Sequence, residues 1–203
     1  DALLSATNSD ANNNTTVGVE SMKATTTGTQ NAAFGKATMI TNTEGNYNTA
    51  IGPYSLKLNT TGSGNVALGY EAMMSNTTAS ENIAIGYRAL YTNETGANNY
   101  AIGKECLMVA TGSENVATGL LSGRYVTSAN YNTFYGSRAG YQVTSSNNVC
   151  NEIILGYSTK GVGGGHITLG ISSGSDRIYN LPSSNASWTR VSDERYKDNI
   201  QDN

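Results

Sequence analysis

The sequence predicts an all-β chain, a parallel β-solenoid (β-roll) wound in coils of about 17 residues. Three observations predict it. A glycine follows a short apolar tripeptide at Gly18, Gly35, Gly52, Gly69, Gly86, Gly103, Gly119 and Gly136, at spacings of 17, 17, 17, 17, 17, 16 and 17. An asparagine stands four residues before each of these glycines, from Asn14 to Asn132. The composition lacks the apolar bulk of an ordinary globule. Of 203 residues, 37% are hydrophobic and 13% charged, and the difference goes into 25 Asn, 25 Thr and 23 Gly.

A 17-residue unit is too short for a helical-pair repeat, which takes about 33 residues or more. It suits one solenoid coil of two short strands and two turns. The apolar segments have Gly on one side and Asn, Thr or Gly on the other, which are strand and turn signals. The balance of 12 Lys+Arg against 15 Asp+Glu, net −3, is not that of a chain that coats nucleic acid. No apolar run approaches the ~20 residues of a membrane span, so membrane insertion is not expected. Two cysteines do not make a disulfide scaffold. The chain opens at Asp1 without the basic-then-apolar pattern of a signal peptide and reads as a segment of a longer protein, cut at both ends.

The clearest coils carry Asn48 with Gly52, Asn65 with Gly69, Asn82 with Gly86 and Asn99 with Gly103. The glycine is expected to take a positive φ, which other residues adopt at a cost. The short amide of the asparagine caps the turn. Coils stacked at ~4.8 Å then place identical amides one above another in a ladder. In Val66-Ala67-Leu68, Ile83-Ala84-Ile85 and Tyr100-Ala101-Ile102 the outer residues share one face and the alanine takes the other. The expectation is that the larger side chains fill the coil and the alanines form a flat stripe outside. An apolar stripe on a thin coil should not face water. Three copies packed about one axis would cover it, so a homotrimer is expected. Three residues after the glycine comes a small residue (Ser55, Ala72, Ala89, Cys106), then a larger apolar one (Leu56, Met73, Leu90, Leu107).

Beyond Gly136 the spacing loosens to 20 at Gly156 and 14 at Gly170. Residues 1–156 therefore read as solenoid head or shaft. Residues 157–191 read as a C-terminal β transition collar, with Ile167-Thr168-Leu169 and Arg177-Ile178-Tyr179 alternating like strands after an unpatterned Gly-rich break.

The segments NTAIG (48–52), NVALG (65–69) and NIAIG (82–86) resemble the head repeat of trimeric autotransporter adhesins. The resemblance covers roughly residues 11–156 and implies a left-handed parallel β-roll built as a trimer, although the adhesin repeat is usually shorter than 17 residues. Similar Asn/Thr-rich coils occur in phage and large-virus fibres. Residues 192–203 resemble the opening of the intramolecular chaperone domain of endosialidase-type tail spikes, Ser-Asp-x-Arg-x-Lys-x-x-Ile. Ser192, Asp193, Arg195, Lys197 and Ile200 match its named positions. The resemblance implies self-cleavage between Ser192 and Asp193, with Ser192 as nucleophile and Lys197 as base. A desolvated lysine can accept a hydroxyl proton, so the pairing is chemically sound. The family's domain runs well past the length present here, so this chain is expected to be uncut. The bland reading of the segment is a charged helix start or linker.

The remaining candidates are weaker. His166 is the sole histidine, so one chain has no multi-histidine cluster, and neither metal nor cofactor is expected. Three copies at a trimer axis are the alternative to a plain surface histidine. Cys106 and Cys150 read as free thiols, in keeping with assembly in a reducing cytoplasm. Tyr54, Tyr70 and Tyr87 follow the repeat glycines and read either as a glycan-binding column or as corner packing. Asn59, Asn76 and Asn93 match the glycosylation pattern but recur at the repeat period, as turn residues do. Glu44, Glu81 and Glu114 sit in turns as solvated surface and form no glycosidase pair.

The functional expectation is a structural, non-enzymatic segment of a trimeric viral (phage) tail fibre or tail spike for host-surface attachment. Its partners are its own copies, a host cell-surface receptor for which a glycan is one candidate, and other virion tail proteins. It would sit in the virion after assembly in the host cytoplasm. The alternative is the head of a bacterial trimeric surface adhesin at the bacterial cell surface.

Overall fold

A computed structural model describes residues 13–141, 150–171, 177–180 and 189–191. They form twelve strands: β1 (Thr15–Val17), β2 (Ala32–Phe34), β3 (Thr49–Ile51), β4 (Val66–Leu68), β5 (Ile83–Ile85), β6 (Tyr100–Ile102), β7 (Val116–Thr118), β8 (Thr133–Tyr135), β9 (Ile153–Leu155), β10 (Ile167–Gly170), β11 (Arg177–Asn180) and β12 (Thr189–Val191). All twelve lie in sequence order in one sheet. From β1 to β10 each strand pairs in parallel with the next, one coil on, as Val66, Ala67 and Leu68 pair with Ile83, Ala84 and Ile85. The chain is thus a parallel β-solenoid, with no helix among the described residues. After β10 the order continues but the sense changes, and β11 and β12 pair antiparallel.

Each coil holds one strand, not the two expected. Past each glycine the backbone turns left-handed at alternate residues: Glu71 has φ 55°, Met73 50°, Arg88 53° and Leu90 49°. Extended structure needs negative φ throughout, so this side of the coil cannot be a strand. Its amides bond to the next coil instead, Met73 N–H to the Ala89 carbonyl at 2.9 Å and Ser75 N–H to that of Tyr91 at 3.1 Å. Backbone polarity is satisfied without a second sheet.

The expected facing of the strands is also reversed. Ala50, Ala67, Ala84 and Ala101 are fully buried, whereas Ile51, Leu68 and Ile102 are about 40% exposed. The reason is the opposite wall. Leu56, Met73, Leu90 and Leu107 each enter the coil from the turn side and are fully buried. A coil this thin has room for one large side chain per level, so the strand supplies the small one. Two strands depart from the small residue, β8 with Phe134 and β9 with Ile154, and β8 shows the rule at work. Phe134 takes the alanine position in β8, and the opposing positions are then Gly123 and Gly140. A Cβ at Gly123 would stand 2.8 Å from the ring, and one at Gly140 2.7 Å. Interior volume is conserved by moving it across the coil.

Candidate functional site

Three features of this solenoid have chemical content: an internal amide ladder, an apolar outer face and a tyrosine-lysine corner. The ladder runs along the start of the strands. The backbone N–H of Asn65 and its Nδ2 donate to Asn48 Oδ1 at 2.9 and 3.1 Å, and Nδ2 also donates to the Ala79 carbonyl at 2.9 Å. Asn48 bonds the same way to Asn31, Asn82 to Asn65 and Asn99 to Asn82. All four are fully buried. Each oxygen accepts two bonds and each amide nitrogen donates two, so the interior polar column is satisfied. At its C-terminal end Glu152 takes the position. Its N–H donates to Asn132 Oδ1, and its carboxylate accepts from the N–H groups of Val162 and Gly163.

Gly69 shows why the fourth residue on is glycine. Its φ is +137°, and a Cβ there would fall 2.6 Å from the Gly86 carbonyl oxygen on the next coil. Gly52, Gly86 and Gly103 share that conformation. A second, shorter column joins Asn42, Asn59 and Asn76 through Nδ2–Oδ1 bonds of 2.7 Å. Asn93 turns its amide to Gly96 instead. Asn59, Asn76 and Asn93 are fully buried and closed to glycosylation in the folded chain.

The outer face of the sheet carries two columns of side chains. Val66, Ile83 and Val116 stand in the first and Ile51, Leu68 and Ile102 in the second. With nine coil steps from β1 to β10 the face runs ~43 Å. It is apolar and open along most of that length, with Phe34 and Tyr135 extending it toward either end.

The corner beyond the glycines carries the tyrosines. Tyr54 meets Tyr70 edge-on at 5.9 Å, and Tyr70 stacks on Tyr87 at 5.6 Å with planes 9° apart. Lys57 and Lys36 stand 5.4 and 6.0 Å from the Tyr54 ring centre, and Lys104 5.6 Å from that of Tyr87. Arg88 lies over Tyr87 and Tyr91 and pairs with Glu71 at 2.6 Å. A hydrogen bond to the Glu71 carboxylate holds the Tyr70 hydroxyl above its ordinary pKa.

The lysines are the residues that sequence reasoning missed, and their signal is plain in the chain. Between residues 13 and 171, every Lys and Arg falls within five residues after a repeat glycine: Lys23, Lys36, Lys57, Arg88, Lys104, Arg124, Arg138 and Lys160. Three carboxylates share that stretch and each is ion-paired, Glu20 with Lys23, Glu71 with Arg88 and Glu105 with Arg124. Glu44, Glu81, Glu94 and Glu114 all lie exposed in the turns before the strands. The coil therefore has a basic aromatic edge and an acidic edge.

Ser192, Asp193, Arg195, Lys197 and Ile200 lie outside the described residues. Among the described residues no group of three His, Cys, Asp or Glu is placed to hold a metal ion. No helix is long and apolar enough to cross a membrane. His166 packs against Tyr179, with Nδ1 2.9 Å from the Gly163 carbonyl oxygen. Cys106 and Cys150 are free thiols, and burial pushes the Cys106 thiol up to about 12, so it is no nucleophile at neutral pH. Comparison with known proteins returns no match to any family, curated protein or solved structure.

Proposed function

We propose that this chain is a structural segment of a trimeric viral tail fibre or tail spike that serves attachment to a host surface. The observation that carries the reading is the outer face of the sheet. Phe34, Ile51, Leu68, Ile85 and Ile102 succeed one another in one apolar column, all but Ile85 exposed, until Thr118 interrupts it, and Val66, Ile83, Tyr100 and Val116 stand beside them. A contiguous apolar strip of this length marks an interaction surface. Two columns on one narrow face let each copy meet two neighbours, first column against second, which closes a ring about an axis parallel to the coils. Stacked backbone bonds within each copy and the shared axis between copies give a stiff rod. That is what a spacer between a particle and its target requires. The resemblance of residues 192–203 to a tail-spike chaperone supports the viral setting. The NTAIG, NVALG and NIAIG segments favour the second reading, a bacterial trimeric adhesin head.

The test is Leu68→Asp. A carboxylate at the centre of an apolar interface costs several kcal/mol to bury unpaired. The variant is expected to sediment as single chains while keeping the β signature of the parent. An assembly of unchanged mass contradicts the reading. In a chain carrying a complete chaperone, the bond between Ser192 and Asp193 is expected to be cut, and Ser192→Ala to leave it whole. Mass spectrometry that finds the parent chain intact after folding overturns the chaperone assignment.

A further inference from the structure

We infer that the tyrosine-lysine corner from Lys36 to Lys104 binds an acidic polysaccharide laid along the solenoid axis. The inference rests on the attachment reading and names the ligand chemistry. Tyr54, Tyr70 and Tyr87 come from three successive coils, and their centres are 5.9 and 5.6 Å apart. Tyr54 stands at 87° to Tyr70, and Tyr70 and Tyr87 lie face to face 9° from parallel, so the three make an aromatic ridge over three coils along which a linear polymer can lie. Lys57 and Lys36 flank the Tyr54 end and Lys104 the Tyr87 end. None of the three joins a salt bridge with a described carboxylate, because the acids on this edge are taken up by Lys23, Arg88 and Arg124. Arg88, held by Glu71 at 2.6 Å, braces the ridge between the two lysine sites. The exposed acids lie on the other edge, so the field across the coil steers a polyanion to the tyrosines.

Charge density selects the polymer. Lys36 and Lys104 follow β2 and β6, four coil steps apart, so three ammonium groups outside any salt bridge with a described carboxylate span ~19 Å. Duplex DNA presents one charge per ~1.7 Å. A sparsely charged glycan, with a carboxylate or sulfate on some of its sugars, fits the lysine spacing better.

The test titrates the whole chain with polygalacturonate, dextran sulfate, neutral dextran and a thymidine oligonucleotide, with the assembly mass measured on the same preparation. Binding of polygalacturonate assigns a uronic-acid type of ligand, and binding of dextran sulfate alone assigns a sulfated one. Neutral dextran should not bind. The double variant Lys57→Gln/Lys104→Gln is expected to lose about tenfold in affinity at unchanged mass and melting temperature. The pair Lys57→Arg/Lys104→Arg should retain binding, and Tyr87→Ser should weaken it. Glu44→Gln on the other edge, which removes no contact to the ligand, should not weaken it. The inference is overturned if neither polyanion binds, if neutral dextran binds as well, if the glutamine pair keeps full affinity, or if the oligonucleotide binds more tightly than both glycans. A trimer that binds no glycan leaves the fibre reading standing, whereas a monomer that binds polyanion sinks the fibre reading and spares this one.

Discussion

The asparagine four residues before each glycine is the most economical part of the molecule. Asn65 alone joins three coils: it donates to Asn48, accepts from Asn82 and ties down the turn at Ala79. Asn65→Ala leaves the buried Asn82 N–H without an acceptor and takes from the Ala79 carbonyl one of its two amide donors, the other being Asn76 Nδ2. At about 1–3 kcal/mol for the unsatisfied N–H and about 1 kcal/mol for the bond lost from Ala79, the expected loss is about 2–4 kcal/mol of unfolding free energy, read by denaturant titration. Asn65→Asp is the sharper variant, because a carboxylate keeps the acceptors and has no N–H to give. It should lose stability as well, and a neutral result would show that the donor side of the ladder contributes nothing. These positions were legible in the sequence because no other residue type carries a primary amide, two N–H donors beside a carbonyl acceptor, on so short a stem. The left-handed residues were not. Leu90 has φ 49° and Arg88 53°, in a region where neither residue type is at ease. Tertiary packing imposes that conformation, and nothing in the residue names announces it.

The coil is the element, and its rule is one large interior side chain per level. The expectation that Val66 and Leu68 face inward treated the strand alone. Alternation says that Ala67 and its neighbours point to opposite sides, but not which side is the interior. The deciding fact lies across the coil, where Leu56, Met73, Leu90 and Leu107 already occupy the space. The sequence carried that column too, four residues after each glycine, and two bulky walls cannot share one thin coil. Phe134 with Gly123 and Gly140 puts the rule to a quantitative test. Phe134→Ala should cost about 3–5 kcal/mol through the cavity it leaves. Gly123→Leu alone should destabilise as well, since its side chain meets both the Phe134 ring and Leu107. The double variant rebuilds the arrangement of the preceding coils and should be more stable than the sum of the single losses, with a coupling of about 1 kcal/mol or more in the double-mutant cycle. Strict additivity would mean that the two sites do not share the space.

At the scale of the whole molecule, the solenoid itself was readable from the repeat, because period and glycine placement are backbone properties. What faces outward was not, and the correction strengthens the case for assembly. The outer strip is made of Ile51, Leu68 and Ile102, where a column of alanines was expected. Larger apolar side chains in water give more reason to associate, by roughly 25 cal/mol for each Å² covered. The two charged edges belong to this scale as well. No single coil reveals them, and they emerge only when eight coils of Lys, Arg and Glu positions are laid over one another. Ser192 and Lys197 stand apart from all of this: their proposed chemistry rests on resemblance, as five matched positions beyond β12.

The assembly claim is tested most directly by sedimentation equilibrium of the unaltered chain at micromolar concentration. The account requires a mass about three times 21.3 kDa, stable to dilution. A single species at 21.3 kDa would contradict it, because the apolar face would then stand in water with nothing to cover it.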